Sequence, residues 1–272
     1  MKEQIEIIRE QLKNYIIQNN IKSLVLGVSG GIDSALCAVL AKPVCNELKI
    51  PLIGRSITLG NKTNEINRGD LIGKYFCNDF KNIWNLNSDF DNLWNCLKDE
   101  GYGVKDEKIN FRKGNIKARL RMIYLYDLAQ LHNGMVLSTD NTTEYLLGFW
   151  SLHGDVGDYG MIQGLWKTEV YDMSEWLVNN ELIGNDAVAL SSCINCQATD
   201  GLGISNTDLD QIMPGWKGSS RDGYKKVDEI LKLKDSINIK ADNPVIDRYN
   251  KTMFKRNNPY NIKRKTLKMK TI

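Results

Sequence analysis

The chain has 272 residues, enough for one large α/β domain or two small ones around a sizeable core. Hydrophobic residues make up 42% and charged residues 25%, the usage of an ordinary soluble protein, and a formal net charge of +3 gives no electrostatic case for nucleic acid. No apolar run approaches the length that crosses a bilayer, and the stretch 1–11 mixes charge with aliphatics instead of forming the apolar core of a secretory signal, so neither membrane nor export is expected.

Residues 3–19 place Ile5, Ile8, Leu12, Tyr15 and Ile16 at helical spacing and predict an amphipathic helix. Residues 23–28 form a short apolar run that leads into a glycine-rich turn, the pattern of a buried parallel strand. A helix follows over 34–42, with Pro43 expected to disturb or end it. A second strand is predicted over 52–59, and Asn61 is placed to cap a helix over 62–76. A strand over 81–86 and a helix over 89–98 come next. The stretch 101–115 carries three glycines among mixed charges and reads as a loop. Leu120, Ile123, Tyr124, Leu128 and Leu131 share one face of a helix over 116–131. A fourth strand spans 135–138 and another helix 167–179. Strands that alternate with helices predict a doubly wound, mostly parallel sheet with helices on both faces.

From about residue 184 the texture changes. Glycine, serine, asparagine and aspartate crowd 191–223, and only a helix near 224–234 interrupts an irregular region. After Asp247 the tail carries lysines and arginines without an acid, which reads as a solvated surface. With no repeat or linker, the expected organisation is a single domain over 1–272. Six cysteines (Cys37, Cys45, Cys77, Cys96, Cys193, Cys196) show no disulfide framework and read as reduced cytoplasmic thiols. Cys193 and Cys196 form one C-x-x-C. A structural zinc site wants four Cys or His ligands, and the histidines are only His132 and His153, so these two read as incidental.

The informative segment joins the first strand to its helix: Gly27, Val28, Ser29, Gly30, Gly31, Ile32, Asp33, Ser34. Glycines let backbone N–H groups turn inward and approach an anion, the helix start adds partial positive charge, and Ser29 and Ser34 add hydroxyls. Such a turn suits pyrophosphate. Asp33 would repel phosphate unless a cation such as magnesium lies between them. A tight turn without a ligand is the plain alternative, and S-G-G-x-D-S behind an apolar strand argues against it. No lysine follows the glycines, so this is not the P-loop of kinases, and it is not a dinucleotide G-x-G-x-x-G.

The segment resembles the signature of the ATP pyrophosphatase, or PP-loop, superfamily, whose members split ATP between its α and β phosphates and transfer AMP to a carbonyl or carboxylate oxygen. Further segments are similar to its NAD synthetase branch. They are Lys117-Ala118-Arg119-Leu120-Arg121-Met122, Ser138-Thr139-Asp140 with Glu144, Gly148-Phe149, Gly154-Asp155 with Asp158, and Leu165-x-Lys167-Thr168-x-Val170. The resemblance covers residues 20 to 180 well and thins beyond. It implies ATP contacts from Gly27 to Ser34 and from Thr139, Lys167 and Thr199. It implies magnesium ligands at Asp33 and Glu144, with Asp33, Glu144 and Lys167 as the catalytic set, and deamido-NAD contacts from Arg119, Asp158 and Lys255. Each position has a plain rival: a solvated helix arginine, turn chemistry, a carboxylate favoured by a helix dipole, surface charge. Three departures touch the substrate side. Leu152 stands where the family has lysine, the stretch 155–163 is one residue short, and Phe254 stands where the family has histidine.

The resemblance implies a ligase, a cytoplasmic homodimer that amidates deamido-NAD with ammonia through an acyl adenylate and releases AMP and pyrophosphate. The alternatives are another PP-loop ligase acting on tRNA or a small metabolite, and a nucleotide-binding module without catalysis.

Overall fold

The computed structural model describes residues 1–60, 63–101, 107–199, 201–234, 243–263 and 266–267. Five strands form the sheet: β1 (Leu24–Gly27), β2 (Leu52–Ile57), β3 (Asp79–Ile83), β4 (Met135–Ser138) and β5 (Tyr159–Gly160). Their order is β3-β2-β1-β4-β5 and every neighbouring pair is parallel. The chain winds outward from β1 through β2 to β3, then returns to the other side of β1 as β4. The order therefore reverses between β1 and β4, and the loops leaving those two strands part there. In open α/β sheets that crevice is where ligands bind.

The first half of the chain adds α1 (Lys2–Gln18), α2 (Ile32–Leu48), α3 (Thr63–Phe76), α4 (Leu86–Leu97), a 3-10 turn Lys98–Gly101, and α5 (Glu107–Leu131). The second half adds α6 (Thr142–Leu147), α7 (Lys167–Asn180), α8 (Gly184–Ile194), α9 (Asp208–Ile212), α10 (Ser220–Leu233), α11 (Pro244–Lys251) and α12 (Met253–Arg256).

Successive side chains of a strand face opposite ways, so β1 feeds two cores. Leu24 and Leu26 join Leu12, Leu36, Leu40, Ile72, Val170 and Leu190 on the face covered by α1, α2, α3, α7 and α8. Val25 joins Ile53, Val136, Met122, Leu125 and Leu128 on the face covered by α5. Both faces are closed, which explains why β1 reads as a continuous apolar run. A third cluster of Leu147, Leu209, Ile212, Tyr224, Val227, Leu231 and Val245 gathers α6, α9, α10 and α11 beside the sheet. Truncating a fully buried leucine such as Leu26 to alanine removes about 2–5 kcal/mol.

Several expectations shift. Helix α2 does not stop at Pro43: it begins at Ile32 and runs to Leu48. Pro43 lies on its exposed side, while Val44 and Cys45 carry the buried stripe past it. The expected loop 101–115 is helical from Glu107 onward. Gly114 there makes room, since a Cβ would come within 2.9 Å of Ile204. Residues 102–106 and the Asn61 cap lie outside the described residues. Strand β3 starts two residues before the expected 81. The short β5 was not anticipated. The region from 184 is less irregular than its composition suggests, because α8 occupies 184–194 and α10 starts at Ser220.

Candidate active site at the switch point

Between β1 and α2 the backbone makes a tight turn. Ser29 Oγ lies 3.0 Å from Ser34 Oγ and accepts from Gly31 N–H at 3.2 Å, while Ser34 Oγ donates to Gly31 O at 3.1 Å. Gly30 has φ +79, and a Cβ there would lie 2.1 Å from the Glu65 carbonyl oxygen, so only glycine fits. Gly31 caps α2 without a side-chain hydrogen bond, leaving the first helical amides open to an anion. Gly27, Val28, Ser29, Gly31, Ile32, Asp33 and Ser34 line a cavity of about 320 Å³; Gly30 shapes the turn from behind.

Across the crevice, three elements converge on one point. Asp33 projects from the first turn of α2. Glu144 lies in the first turn of α6, fixed by a capping box in which Asn141 Oδ1 accepts from Glu144 N–H and Glu144 Oε2 accepts from Asn141 N–H. Lys167 opens α7 with a side chain only 2% exposed. Its Nζ donates to Asp33 Oδ2 at 2.5 Å and to Glu144 Oε1 at 3.0 Å. Asn141 Nδ2 donates to the other Asp33 oxygen at 2.9 Å.

A second tier holds the lysine. Lys167 N–H donates to Thr143 Oγ1 at 2.9 Å, and Thr143 Oγ1 donates to Asp228 Oδ1 at 2.6 Å. Asp228 Oδ2 accepts from Thr168 N–H and Oγ1 at 2.9 and 2.7 Å. Asp228, on α10, is buried and so ties three helices to the site.

One buried ammonium faces two partly buried carboxylates. Burial, and then the Asp33 charge, push the Glu144 pKa up to about 7 despite the opposing pull of Lys167. Burial acts to lower the Lys167 pKa, but Asp33 and Glu144 outweigh it and hold it well above the usual lysine value. Asp140, also on the wall, is pushed well above the usual carboxylate range by burial and then by Asp155 and Glu144. Carboxyl groups therefore crowd the corner of the crevice where Asp33, Asp140 and Glu144 stand, beside a turn shaped for an anion. A divalent cation reconciles the two, and Asp33 with Glu144, already within reach of one cationic atom, are the oxygens fit to hold it.

Thr139 stands just past β4 and lines the cavity. Thr199 lines it too, its hydroxyl donating to Glu65 Oε1 at 2.7 Å. Lys255, from α12, reaches the wall and donates to Gly148 O at 2.6 Å and to Trp150 O. Arg119 is elsewhere. It lines an adjoining outer groove with Tyr126, Trp150, His153 and Pro259, and donates to Leu152 O at 3.3 and 3.0 Å. The structure does not bring Asp158 to either wall: Oδ2 accepts from Val136 N–H at 2.9 Å and Oδ1 from Tyr126 Oη at 3.0 Å. Phe254 is 61% exposed.

Sequence reasoning did not single out Asn141, Thr143, Asp228 or Arg68. The N-x-x-E spacing of 141–144 was a readable capping signal. Asp228 carried none, because its partners lie 60 and 85 residues away.

A parallel doubly wound sheet with a glycine turn and a lysine–carboxylate cluster at its switch point defines an α/β nucleotide-binding enzyme. The family model described as NAD synthase matches residues 4–259. A curated NH(3)-dependent NAD(+) synthetase of Thermoplasma volcanium is 30% identical over 269 residues, covering 95% of this chain and 96% of that protein. Among solved structures, the NMN synthetase of Francisella tularensis aligns with TM-score 0.74 and 23% identity, covering 94% of this chain and 95% of that one. The NH3-dependent NAD synthetase of Campylobacter jejuni aligns with TM-score 0.67 and 22% identity, covering 96% and 99%. The chain belongs to the NAD synthase family, and with it to the ligases.

Proposed function

We propose that the protein converts deamido-NAD to NAD with ATP and ammonia, releasing AMP and pyrophosphate. The observation that carries this reading is the convergence of Asp33 and Glu144 on Lys167 beside the Ser29–Ser34 turn. The nicotinate carboxylate attacks the α-phosphorus, the bond to the bridging oxygen breaks, and an acyl adenylate forms. Ammonia then attacks the acyl carbon and AMP leaves. The amides and hydroxyls of the turn hold the departing pyrophosphate, and Lys167 supplies positive charge near it. Asp33 and Glu144 would hold a magnesium ion, which would supply neutralisation of phosphate charge there. No covalent nucleophile is required, because positioning and charge neutralisation supply the acceleration.

Thr139 and Thr199 contact ATP in this reading, and Lys255 fixes the wall at 148–150 on the substrate side. Arg119 serves the substrate from the adjoining groove. Asp158 acts by fixing β4 and Tyr126 behind that groove. The whole chain works as one domain, in the cytoplasm, as a homodimer.

The test supplies deamido-NAD, ATP, magnesium and ammonium and looks for NAD, AMP and pyrophosphate in equal amounts. ADP as product would reject the scheme. Asp33→Ala and Glu144→Ala are each expected to lower turnover at least about 100-fold, on the scale of lost transition-state charge stabilisation, while leaving a folded protein. Nicotinate mononucleotide supplied in parallel checks the substrate. Faster amidation of the mononucleotide would move the assignment to the smaller compound.

A further inference from the structure

Arg68, on α3, is a cation at the phosphate turn that the roles above leave unused. Its Nε donates to Gly30 O at 2.9 Å, the carbonyl of the left-handed glycine. Its half-buried side chain lines the cavity. Arg9, Arg55 and Arg221 are each committed to a carboxylate. Among the described residues Arg68 has no such partner, and its hydrogen bond to Gly30 uses only Nε. Its charge also reaches the thiols of Cys193 and Cys196, where it opposes the effect of burial. The guanidinium thus lies between the phosphate turn and the segment after α8, with Cys196 and Thr199 also on the wall.

The charge balance gives this position its meaning. Lys167 shares one positive charge between two carboxylates, so these three groups together leave no surplus cation for a triphosphate, while Arg121, Arg248 and Lys255 on the same wall donate to carbonyls of Ile57, Gly201, Leu147 and Gly148. Arg68 stands on the α3 side of the turn and is already oriented by its bond to Gly30. A guanidinium presents its donors as a planar fork, and holding Nε leaves the terminal nitrogens to meet two phosphate oxygens together.

We propose that Arg68 binds the β and γ phosphates of ATP and stabilises pyrophosphate as it leaves. This inference rests on the reading of the cavity as an ATP site and deepens it. In the step it serves, the carboxylate oxygen bonds to the α-phosphorus, and the electron pair of the broken bond stays on the bridging oxygen of pyrophosphate. Arg68 remains protonated throughout and transfers nothing. It meets negative charge that grows on the leaving group.

The test is titration calorimetry of the full chain with magnesium pyrophosphate, magnesium ATP and AMP, on the wild type, Arg68→Met and Arg68→Lys. Thermal unfolding of each variant accompanies it. Arg68→Met is expected to weaken pyrophosphate and ATP about tenfold or more, the scale of a charge-assisted hydrogen bond. AMP is expected to stay within about twofold and Arg68→Lys to recover part of the loss. Unchanged pyrophosphate binding by Arg68→Met would overturn the proposal. So would an equal loss for AMP and pyrophosphate, which would mean that Arg68 only pins the turn, or a lysine variant no better than methionine. These titrations need neither deamido-NAD nor ammonia. A wild type that binds ATP yet forms no NAD would therefore overturn the assigned reaction and leave Arg68 to be judged by its own binding data.

Discussion

At the scale of single residues, Lys167 decides the state of the site. Two largely buried carboxylates and one buried ammonium share the wall of the cavity, where the effective dielectric is low enough for their arrangement to matter. Lys167→Met leaves Asp33 and Glu144 facing each other without a counter-charge. Breaking a buried ion cluster this way costs about 3–5 kcal/mol. The cost should depend on pH in a definite direction. Glu144 has its pKa raised to about 7 in the folded protein, against an ordinary 4.5. A carboxylate raised on folding favours the fold at low pH and loses that contribution as pH rises through the folded value. Without Lys167 the folded value rises further, so the variant should be destabilised more near pH 8 than near pH 5.5. Urea unfolding at the two pH values measures the difference, and an equal loss at both would show that the lysine does not govern Glu144 ionisation. The sequence named Asp33, Glu144 and Lys167 through the family resemblance, and the structure brings these three side chains together. Asp158 shows the limit of that method. Its motif placed it with the substrate, but the side chain bonds the β4 backbone and Tyr126, and only three-dimensional neighbours could show that.

At the scale of elements, α6, α7 and α10 act as one support. Asp228 accepts three hydrogen bonds from Thr143 and Thr168, and Thr143 in turn accepts from the Lys167 amide. Bonds to a buried carboxylate are worth about 1.5–3 kcal/mol each, and burying the charge offsets part of their sum. Asp228→Ala is therefore expected to cost about 3 kcal/mol in urea unfolding and to lower kcat, because the start of α7 loses its fixed height above the sheet. Unchanged stability would mean that packing in the third apolar cluster holds α10 by itself. Element boundaries were the least legible part of the sequence. Proline at 43 and the glycines near 101–114 read as breaks, yet α2 passes through the first and α5 absorbs Gly114. In both places tertiary packing overrides local preference: the buried stripe of α2 continues past Pro43, and Gly114 gives Ile204 its space. Polar composition beyond 184 hid α8 for a related reason. Its buried positions are small residues and cysteine as much as leucine, so its amphipathic stripe is faint.

At the scale of the whole molecule, the sheet order explains why distant segments share one crevice, and α5 bears an apolar surface on which the proposed homodimer would close. Ile123 and Leu131 on α5 are 66% and 70% exposed, and Tyr126 nearby is 39% exposed. Apolar side chains on one long helix, beside the groove that holds Arg119, suit a helix-to-helix interface between copies. Light scattering after size exclusion is expected to give a dimer for the wild type and a monomer for Ile123→Asp. A monomeric wild type would rule out the homodimer.

The reversal of strand order has a consequence for how the protein is made. Asp33 and Lys167 stand 134 residues apart along the chain. A ribosome adding about 5–20 residues per second takes on the order of ten seconds to cover that interval. Throughout it the glycine turn has been synthesised, while the lysine that pairs with Asp33 is not yet translated. Pairing of β1 with β4 must likewise wait until the far partner exists, and such distant parallel contacts form slowly. Until residue 135 and its neighbours are made, the β1 edge that β4 will cover has no strand to pair with.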